Sequence, residues 1–423
     1  MSQRRGAQGA GTMRKKTVVR GGKEYTYWEA RITTGRDPGT GKQVQRSFTG
    51  KTQKEVREKM QAAAVALNDG DYFEPSKMTL ANWLDIWTSD YMGDKKYLTV
   101  KHYKAQVSTH IKPALGAVKL SQLSPHTIQA FYNELLTSGH TIPKRGEDGK
   151  IIKKDGKAVT EQVPMSAKSV RNIHGILTKA LSVAVSIGYI KINPADRVTL
   201  PRVEKKEIHP LTDEQVKDFL QVSAWDEYEV LLKVILFTGL RESEAIGLTW
   251  DSIDFGAGTV KVSKQLQKRP LADGGFVFAP LKNDKARILK PAPFVMELLK
   301  RRQREQAAQR LQAGELWQAW SSMDEQKTAL VFTTAIGDHL SPQTVYLHYK
   351  RLAAQIGAPE SRVHDLRHTF AVLSLQNGDD VKTVQGNLGH ATAAFTLDVY
   401  GHVSERMKED SAHRMQKYIE DIG

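Results

Sequence analysis

Four stretches of this 423-residue chain pair reactive side chains with the turn and helix signals needed to hold them. In Thr238-Gly239-Leu240-Arg241-Glu242-Ser243-Glu244, Gly239 ends or bends the apolar helix Val230–Phe237 and puts Arg241 at the start of the next helix. A guanidinium there can offer its planar fork to a phosphate, helped by the N–H groups of the helix N-terminus. Glu244, one turn on, can hold that fork, although the same spacing describes an ordinary surface ion pair. Further along, Thr259–Gln267, Phe276–Ala279 and Arg287–Leu289 alternate like strands, and Lys282 falls in the turn Leu281–Lys285. An ammonium on such a turn can reach a bound duplex and protonate a departing sugar oxygen. Lys285 competes for that role.

The third stretch is His364-Asp365-Leu366-Arg367-His368. His364 and His368 have the i, i+4 spacing of a metal pair on a helix. Arg367 on the same face would repel a divalent cation, and no third ligand stands nearby, so no metal is expected. The better reading makes His364 and Arg367, one turn apart, joint phosphate donors, with His368 packed inside the fold. The fourth stretch runs from Leu388-Gly389-His390 to Tyr400-Gly401-His402. A tyrosine before a glycine is ordinarily a packing residue. The cations upstream and the Leu-Gly-His ten residues earlier set this one apart.

These side chains need a scaffold, and the chain spells one out in pieces. Residues 1–12 read as a flexible basic tail. Thr17–Arg20, Tyr25–Ile32 and Val44–Thr49 read as three strands parted by Gly21-Gly22 and the turn-rich Gly35–Gly41. Thr52 with Glu55 is a capping box opening a helix that stops near Gly70. From Met78 the period becomes helical: Leu80, Leu84 and Trp87 share one face, then Val100, Tyr103, Val107 and Ile111 another. Ser124-Pro125 starts a third helix, and Ser166 caps a fourth striped by Val170, Ile173, Leu177, Leu181 and Ala184. The polar Thr141–Val163 between them is an inserted hairpin or a mobile loop. Pro201–Pro210 is a linker, and Thr212 with Gln215 caps the next helix. The expected architecture is multidomain, mainly α with small β-sheets: a sheet plus helix over 13–74, a helical domain over 75–200, a linker over 201–210 and a mixed α/β domain over 211–423.

Charge narrows the partner. The chain carries 62 Lys or Arg against 47 Asp or Glu, a net +15 that favours a polyanion, either nucleic acid or an anionic membrane surface. Composition alone leaves a merely soluble basic protein about level with that reading. In the first 70 residues 15 basic residues face 6 acidic ones, so more than half the excess sits there. A small basic sheet suits a DNA groove, with Arg14, Lys15, Lys16, Arg31 and Arg46 as candidate contacts. In the helical domain Lys101, Lys104, Lys112, Lys168 and Arg171 are exposed candidates, though lysines on helices are usually only solvated. The absence of cysteine excludes disulfides, thiolate zinc sites and a cysteine nucleophile. No apolar run approaches membrane length, and no secretory signal opens the chain, so a cytoplasmic, nucleoid-associated location is expected.

Taken in order, Arg241…Lys282…His364-x-x-Arg367…His390…Tyr400 resembles the tyrosine recombinases, the integrases of phages and conjugative transposons. The likeness extends over 75–423, and the basic sheet resembles the arm-type DNA-binding domain of such integrases. One departure is Asn283, where the family usually has Thr after the lysine; Arg287 keeps its usual distance and favours Lys282 over Lys285. The resemblance implies a SAM-like core-binding domain, attack of Tyr400 on a DNA phosphodiester and a 3′-phosphotyrosyl link. It implies Arg241 and Arg367 on the phosphate, His364 most often as base, His390 as a further donor and Lys282 as acid. It implies no cofactor, duplex DNA with core and arm sites, and a homo-tetramer on that DNA. The C-terminal segment Ser404–Ile422 would cover its own domain or dock on a neighbouring protomer. An excision factor and a host DNA-bending protein are compatible partners. Competing readings are a Xer-like resolvase, a type IB topoisomerase-like enzyme and a DNA-binding relative without catalysis.

Overall fold

The computed structural model of the chain describes residues 12–36, 43–68, 78–146, 150–204, 208–270, 275–282, 285–318, 320, 329–389 and 405–422. Residues 1–11 of the tail, most of the Gly35–Gly41 turn, Asn283, His390 and Tyr400 lie outside the described residues, while Thr12, expected in the tail, begins the first strand. The chain divides into two units, Met1–Lys205 and Lys206–Gly423, with the break inside the segment read as a linker.

The first unit opens on an antiparallel sheet, β1 (Thr12–Arg20), β2 (Lys23–Arg36) and β3 (Gln43–Gly50), in that order. All three strands run longer than the alternation of side chains suggested, because backbone pairing continues past the last apolar residue. Gly21 and Gly22 both have positive φ, 57° and 74°, the conformation a two-residue hairpin requires. Helix α1 (Gln53–Asn68) packs on β2 and β3, where Ala30, Ile32 and Val56 are buried. Its expected capping box is half formed. The Thr52 hydroxyl accepts from the Glu55 N–H, but Glu55 reaches past the cap to the Lys51 N–H at 3.0 Å.

The rest of this unit is a helical bundle: α2 (Leu80–Asp90), α3 (Tyr97–Gln106), α4 (Lys112–Leu115), α5 (Pro125–Ser138) and α6 (Ala167–Ser186). Ser124 and Ser166 accept from the N–H groups of Thr127 and Ser169, each at 3.1 Å, as N-caps do. The expected stripe of α6 is buried along its length. Between α3 and α4 the helix widens into a π turn over Val107–Ile111. Pro113 has no N–H to give the carbonyl four residues back, which relaxes the regular ladder there. Trp83 Nε1 donates to the Ala180 carbonyl at 3.0 Å and locks the first helix of the bundle to the last. The insertion forms paired strands: β4 (His140–Pro143) with β7 (Thr160–Val163), and β5 (Lys153–Lys154) with β6 (Lys157–Ala158).

The second unit holds α7 (Asp213–Val222), α8 (Glu229–Thr238) and α9 (Glu242–Ile246), then the strands, then α10 (Pro293–Ala313), α11 (Pro342–Gln355), α12 (Val363–Gln376), α13 (Val381–Leu388) and α14 (Glu405–Ile422). The capping box at Thr212 and Gln215 is complete. Helix α8 is buried on every side and is the centre of the core, with α10 and α12 against it. The stretch Thr259–Gln267 is two strands. β9 (Thr259–Val262) pairs with β8 (Ile253–Asp254) and β12 (Arg287–Leu289), while β10 (Lys264–Lys268) pairs with β11 (Phe276–Pro280). The chain changes sheets at Ser263, a switch of partners that alternation alone does not record. The fold is mainly helical with small sheets, and no described helix is long and apolar enough to cross a membrane.

Candidate active site

The site is built around the turn that ends α8. Gly239 adopts the left-handed conformation, φ 67°, and a Cβ there would lie 2.5 Å from Phe370 and 2.7 Å from Leu388. Only glycine allows both the turn and this approach of α12 and α13. Two residues on, Arg241 is the N-cap of α9. Its N–H donates to Glu244 Oε2 at 3.0 Å and its Nη1 to Oε1 at 2.7 Å. Glu244 is 1% exposed, so this is a buried clamp rather than a surface pair.

The same carboxylate takes a second arginine. Arg287 Nη2 donates to Glu244 Oε2 at 2.6 Å and Nη1 to Oε1 at 3.2 Å, while its Nε donates to the Asn387 carbonyl at 2.8 Å. Burial raises the Glu244 pKa, but the hydrogen bonds and charge of Arg287, then of Arg241, more than offset this and hold it down at about 2. Sequence reasoning used Arg287 only as a distance marker. Its role as the second leg of the clamp has no local signal, since Glu244 lies 43 residues away.

Arg367, on α12, is 1% exposed and donates to the carbonyls of Gly239 and Leu388. It therefore ties the α8 turn to the end of α13, where helix carbonyls favour a cation. Arg287 and Arg367 together grip the last turn of α13, just before Gly389 and His390. Arg367 is expected from the sequence to be a phosphate donor; in the fold both of its Nη atoms hold backbone carbonyls.

His364 is on the exposed side of α12 and meets His368 edge to face, ring centroids 4.9 Å apart. Desolvation first, then the charges of Arg367, Arg241 and Arg362, outweigh Asp365 and push the His364 pKa down. His368 is pushed further, to about 4, again by desolvation first and then by His364. Both rings are neutral near pH 7, so His364 can accept a proton. Asp365 is held by Arg362 at 2.9 Å and 3.1 Å, which gives α12 the same arginine–acid opening as α9.

Lys282 is exposed and follows the buried Leu281. The strand that precedes it, β11, is tied to α9 by a relay. Ser243 donates to Gln265 at 2.9 Å, and Gln265 donates to the Pro280 carbonyl at 2.7 Å. A Cβ on Gly247 would lie 2.5 Å from the Leu266 nitrogen, so α9 lies directly on β10. The structure thus brings Arg241, Arg367 and His364 to one turn and anchors the segment carrying Lys282, while His390 and Tyr400 are outside the described residues.

The candidate DNA contacts divide. Arg14 donates to Glu29 at 2.9 Å and 3.1 Å, Arg31 at 3.3 Å, and Lys16 lies 3.9 Å away, so three cations converge on one buried carboxylate. Lys15 is exposed opposite Trp28, and Arg46 pairs in register with Ile32. Lys101, Lys104 and Lys168 are exposed; Lys112 is engaged by Asp85, and Arg171 donates to the Pro201 carbonyl at 2.9 Å.

One group beside the clamp runs the other way. Burial pushes the Glu242 carboxyl up to about 7, and its Oε1 is buried with no hydrogen-bond partner among the described residues. A raised carboxyl pKa favours the folded state while protonated, and that advantage is lost as pH rises from the unfolded value toward 7. Glu242→Gln is expected to match the parent at about pH 4 and to exceed its stability by roughly 2 kcal/mol at about pH 8, after discounting for partial exposure. Urea unfolding at both pH values checks this. An equal difference at both would show that ionisation is not the cause.

Two guanidiniums fixed at a glycine turn, a neutral imidazole one helical turn away and a lysine on an adjoining strand connection are groups that can act on a phosphodiester by charge neutralisation and proton transfer. Residues 209–407 match the phage integrase family, and residues 79–136 match the phage integrase N-terminal SAM-like domain. The chain belongs to the phage integrase family, the tyrosine recombinases.

It is 25% identical over 419 residues to a tyrosine recombinase XerC-like protein of Caldanaerobacter subterraneus subsp. tengcongensis, covering 95% of this chain and 99% of that one. It is 23% identical over 399 residues to the ICEBs1 integrase of Bacillus subtilis, covering 94% and 98%. Among solved structures, the Tn1549 transposon integrase in complex with transposon right end DNA shares the fold at TM-score 0.63 and 19% identity, over 80% of this chain and 100% of that one. A lambda integrase tetramer bound to a Holliday junction matches at TM-score 0.52 and 18% identity, over 90% and 94%.

Proposed function

We propose that the chain is a site-specific DNA recombinase that integrates and excises a mobile element through a 3′-phosphotyrosyl intermediate. The observation that carries the chemistry is the gathering of Arg241 and Arg367 on the Gly239 turn of an integrase fold. In this reading Tyr400 attacks the phosphorus, the phosphotyrosyl bond forms and the bond to the 5′-oxygen breaks. Arg241 and Arg367 neutralise the non-bridging oxygens as charge grows. A phenol with a pKa of about 10 needs a proton acceptor near neutrality. Neutral His364 is that acceptor, His390 adds a hydrogen bond and Lys282 protonates the leaving 5′-oxygen. The new ester conserves the energy of the old one, so strands exchange without ATP, and the fixed cations do the work of a metal.

The basic sheet binds arm-type sites through Arg14, Lys15, Lys16, Arg31 and Arg46; the helical bundle binds the core site through Lys101, Lys104, Lys168 and Arg171. The active assembly is a homo-tetramer on duplex DNA, joined during excision by an excision factor and a DNA-bending protein, in the bacterial cytoplasm at the nucleoid. The XerC-like relative favours a resolvase as the second reading, and the basic sheet ahead of the bundle argues for an integrase. Covalent trapping decides: intact protein on a nicked core-site duplex is expected to give a denaturant-resistant adduct. Absence of any adduct overturns the mechanism.

Deleting residues 1–70 is expected to spare that adduct while weakening arm-site binding. It should also flatten the salt dependence of that binding, by about 0.9 in log–log slope for every phosphate the protein no longer neutralises. Arm binding measured by titration at several salt concentrations checks this. Unchanged binding would remove the arm assignment.

A further inference from the structure

The segment between α5 and α6 is far longer than a helix–helix connection needs, which is typically about 2–8 residues. Its described residues, 140–146 and 150–163, are built, not loose. β4 and β7 form its stem, with His140 opposite Val163 and Pro143 opposite Thr160. Above the stem three strands close a triangle of backbone hydrogen bonds. Lys144 donates to the Val159 carbonyl at 2.8 Å, Val159 to Ile152 at 2.9 Å and Ile152 back to Lys144 at 2.9 Å. The tip turns at Asp155 and Gly156, φ 51° and 75°, the two positive values of a tight hairpin turn. At the root the Met165 N–H donates to the Leu135 carbonyl at 3.0 Å and Met165 is buried, so the arm is fixed to the bundle.

Its chemistry is one-sided. Residues 150–158 carry four lysines and one aspartate, and Lys153, Lys154 and Lys157 stand exposed around the turn. Ile151 and Ile152 beside them are 40% and 39% exposed, apolar surface with no core to cover. Three cations on a pre-ordered tip lose little entropy on meeting a charged line, and a duplex backbone offers a phosphate about every 3.4 Å along each strand. The arm springs from the end of the bundle where α6 begins, a few residues before Lys168. At about 3.3 Å per residue its strands reach up to roughly 20 Å beyond that end.

We infer that the 140–163 arm is a second DNA grip: its lysine tip binds the phosphate backbone of duplex lying beyond the ground covered by the helical bundle. This rests on the recombinase reading for its ligand but not for its test. The probe is a core-site duplex in two lengths, one trimmed to the core and one flanked by extra base pairs of arbitrary sequence. Full-length protein is expected to bind the longer duplex about tenfold or more tightly, and the triple variant Lys153→Gln, Lys154→Gln, Lys157→Gln is expected to lose that gain. Its log–log salt slope should fall by about 2 to 3, while the triple Lys→Arg variant keeps both.

Equal affinity and slope for parent and Gln variant on the long duplex overturns the inference. So does a variant that binds the long duplex normally and loses only cooperative assembly, which would make the arm a protein contact. Adduct formation by the Gln variant at saturating concentration shows that the recombinase reading stands whichever result is found for the arm.

Discussion

Tyr400→Phe is expected to form no denaturant-resistant adduct on a nicked core-site duplex, a fall of at least about 10⁴-fold in strand cleavage. The substitution removes one oxygen and leaves the ring. A tyrosine that only packs tolerates that change, whereas a nucleophile cannot lose its attacking atom. The measurement is gel separation under denaturing conditions, with core-site binding by the same variant as the control for folding. Adduct at the parental level from the Phe variant would move the nucleophile elsewhere and sink the assignment. The prediction comes from spacing and family, since residue 400 is outside the described residues.

Glu244→Gln is the second large effect, and it comes from the tertiary structure. Glu244 is the common counter-charge of Arg241 and Arg287, and the Arg287 side chain is itself only 9% exposed. Removing one member of a buried charge cluster typically costs about 3–5 kcal/mol, because the partners stay buried and unpaired. The pH dependence has a definite sign. With its pKa at about 2 in the fold, Glu244 stabilises the protein fully above the unfolded carboxyl value and loses that contribution as pH falls toward 2.

The stability gap between parent and Glu244→Gln is therefore expected to be widest near neutrality and to narrow below about pH 4. Adduct formation should fall with it, since an amide keeps only one of the two accepting oxygens that Arg241 and Arg287 share. Glu244→Asp keeps the charge and should recover part of both. A Gln variant with parental stability and parental adduct would show that the clamp does nothing. Glu242, two residues earlier, has the opposite slope with pH. The two neighbours differ because one carboxylate meets two guanidiniums and the other meets none of the described groups.

Several features were legible in the order of residues alone. Ser124, Ser166 and Thr212 mark helix starts because a cap is a bond between a side chain and an N–H two or three residues away. The stripe of α6 and the apolar α8 follow from helical period, which is also local. Net charge pointed to a polyanion, and the order of residues from Arg241 to Tyr400 supplied the candidate reacting groups.

What tertiary structure decided lies beyond that range. Arg367 reaches the Gly239 carbonyl across 128 residues, and Arg287 reaches Glu244 across 43. Glu29 gathers Arg14, Lys16 and Arg31 because strand register puts them on one face of a sheet. The stretch Thr259–Gln267 alternates throughout yet serves two sheets, and the insertion, equally polar as hairpin or loop, is held by three carbonyls. Cap and period are short-range preferences written into neighbouring residues. A buried charge instead takes its partner from whatever the packed core brings within hydrogen-bond distance, and that is settled only when the chain has folded.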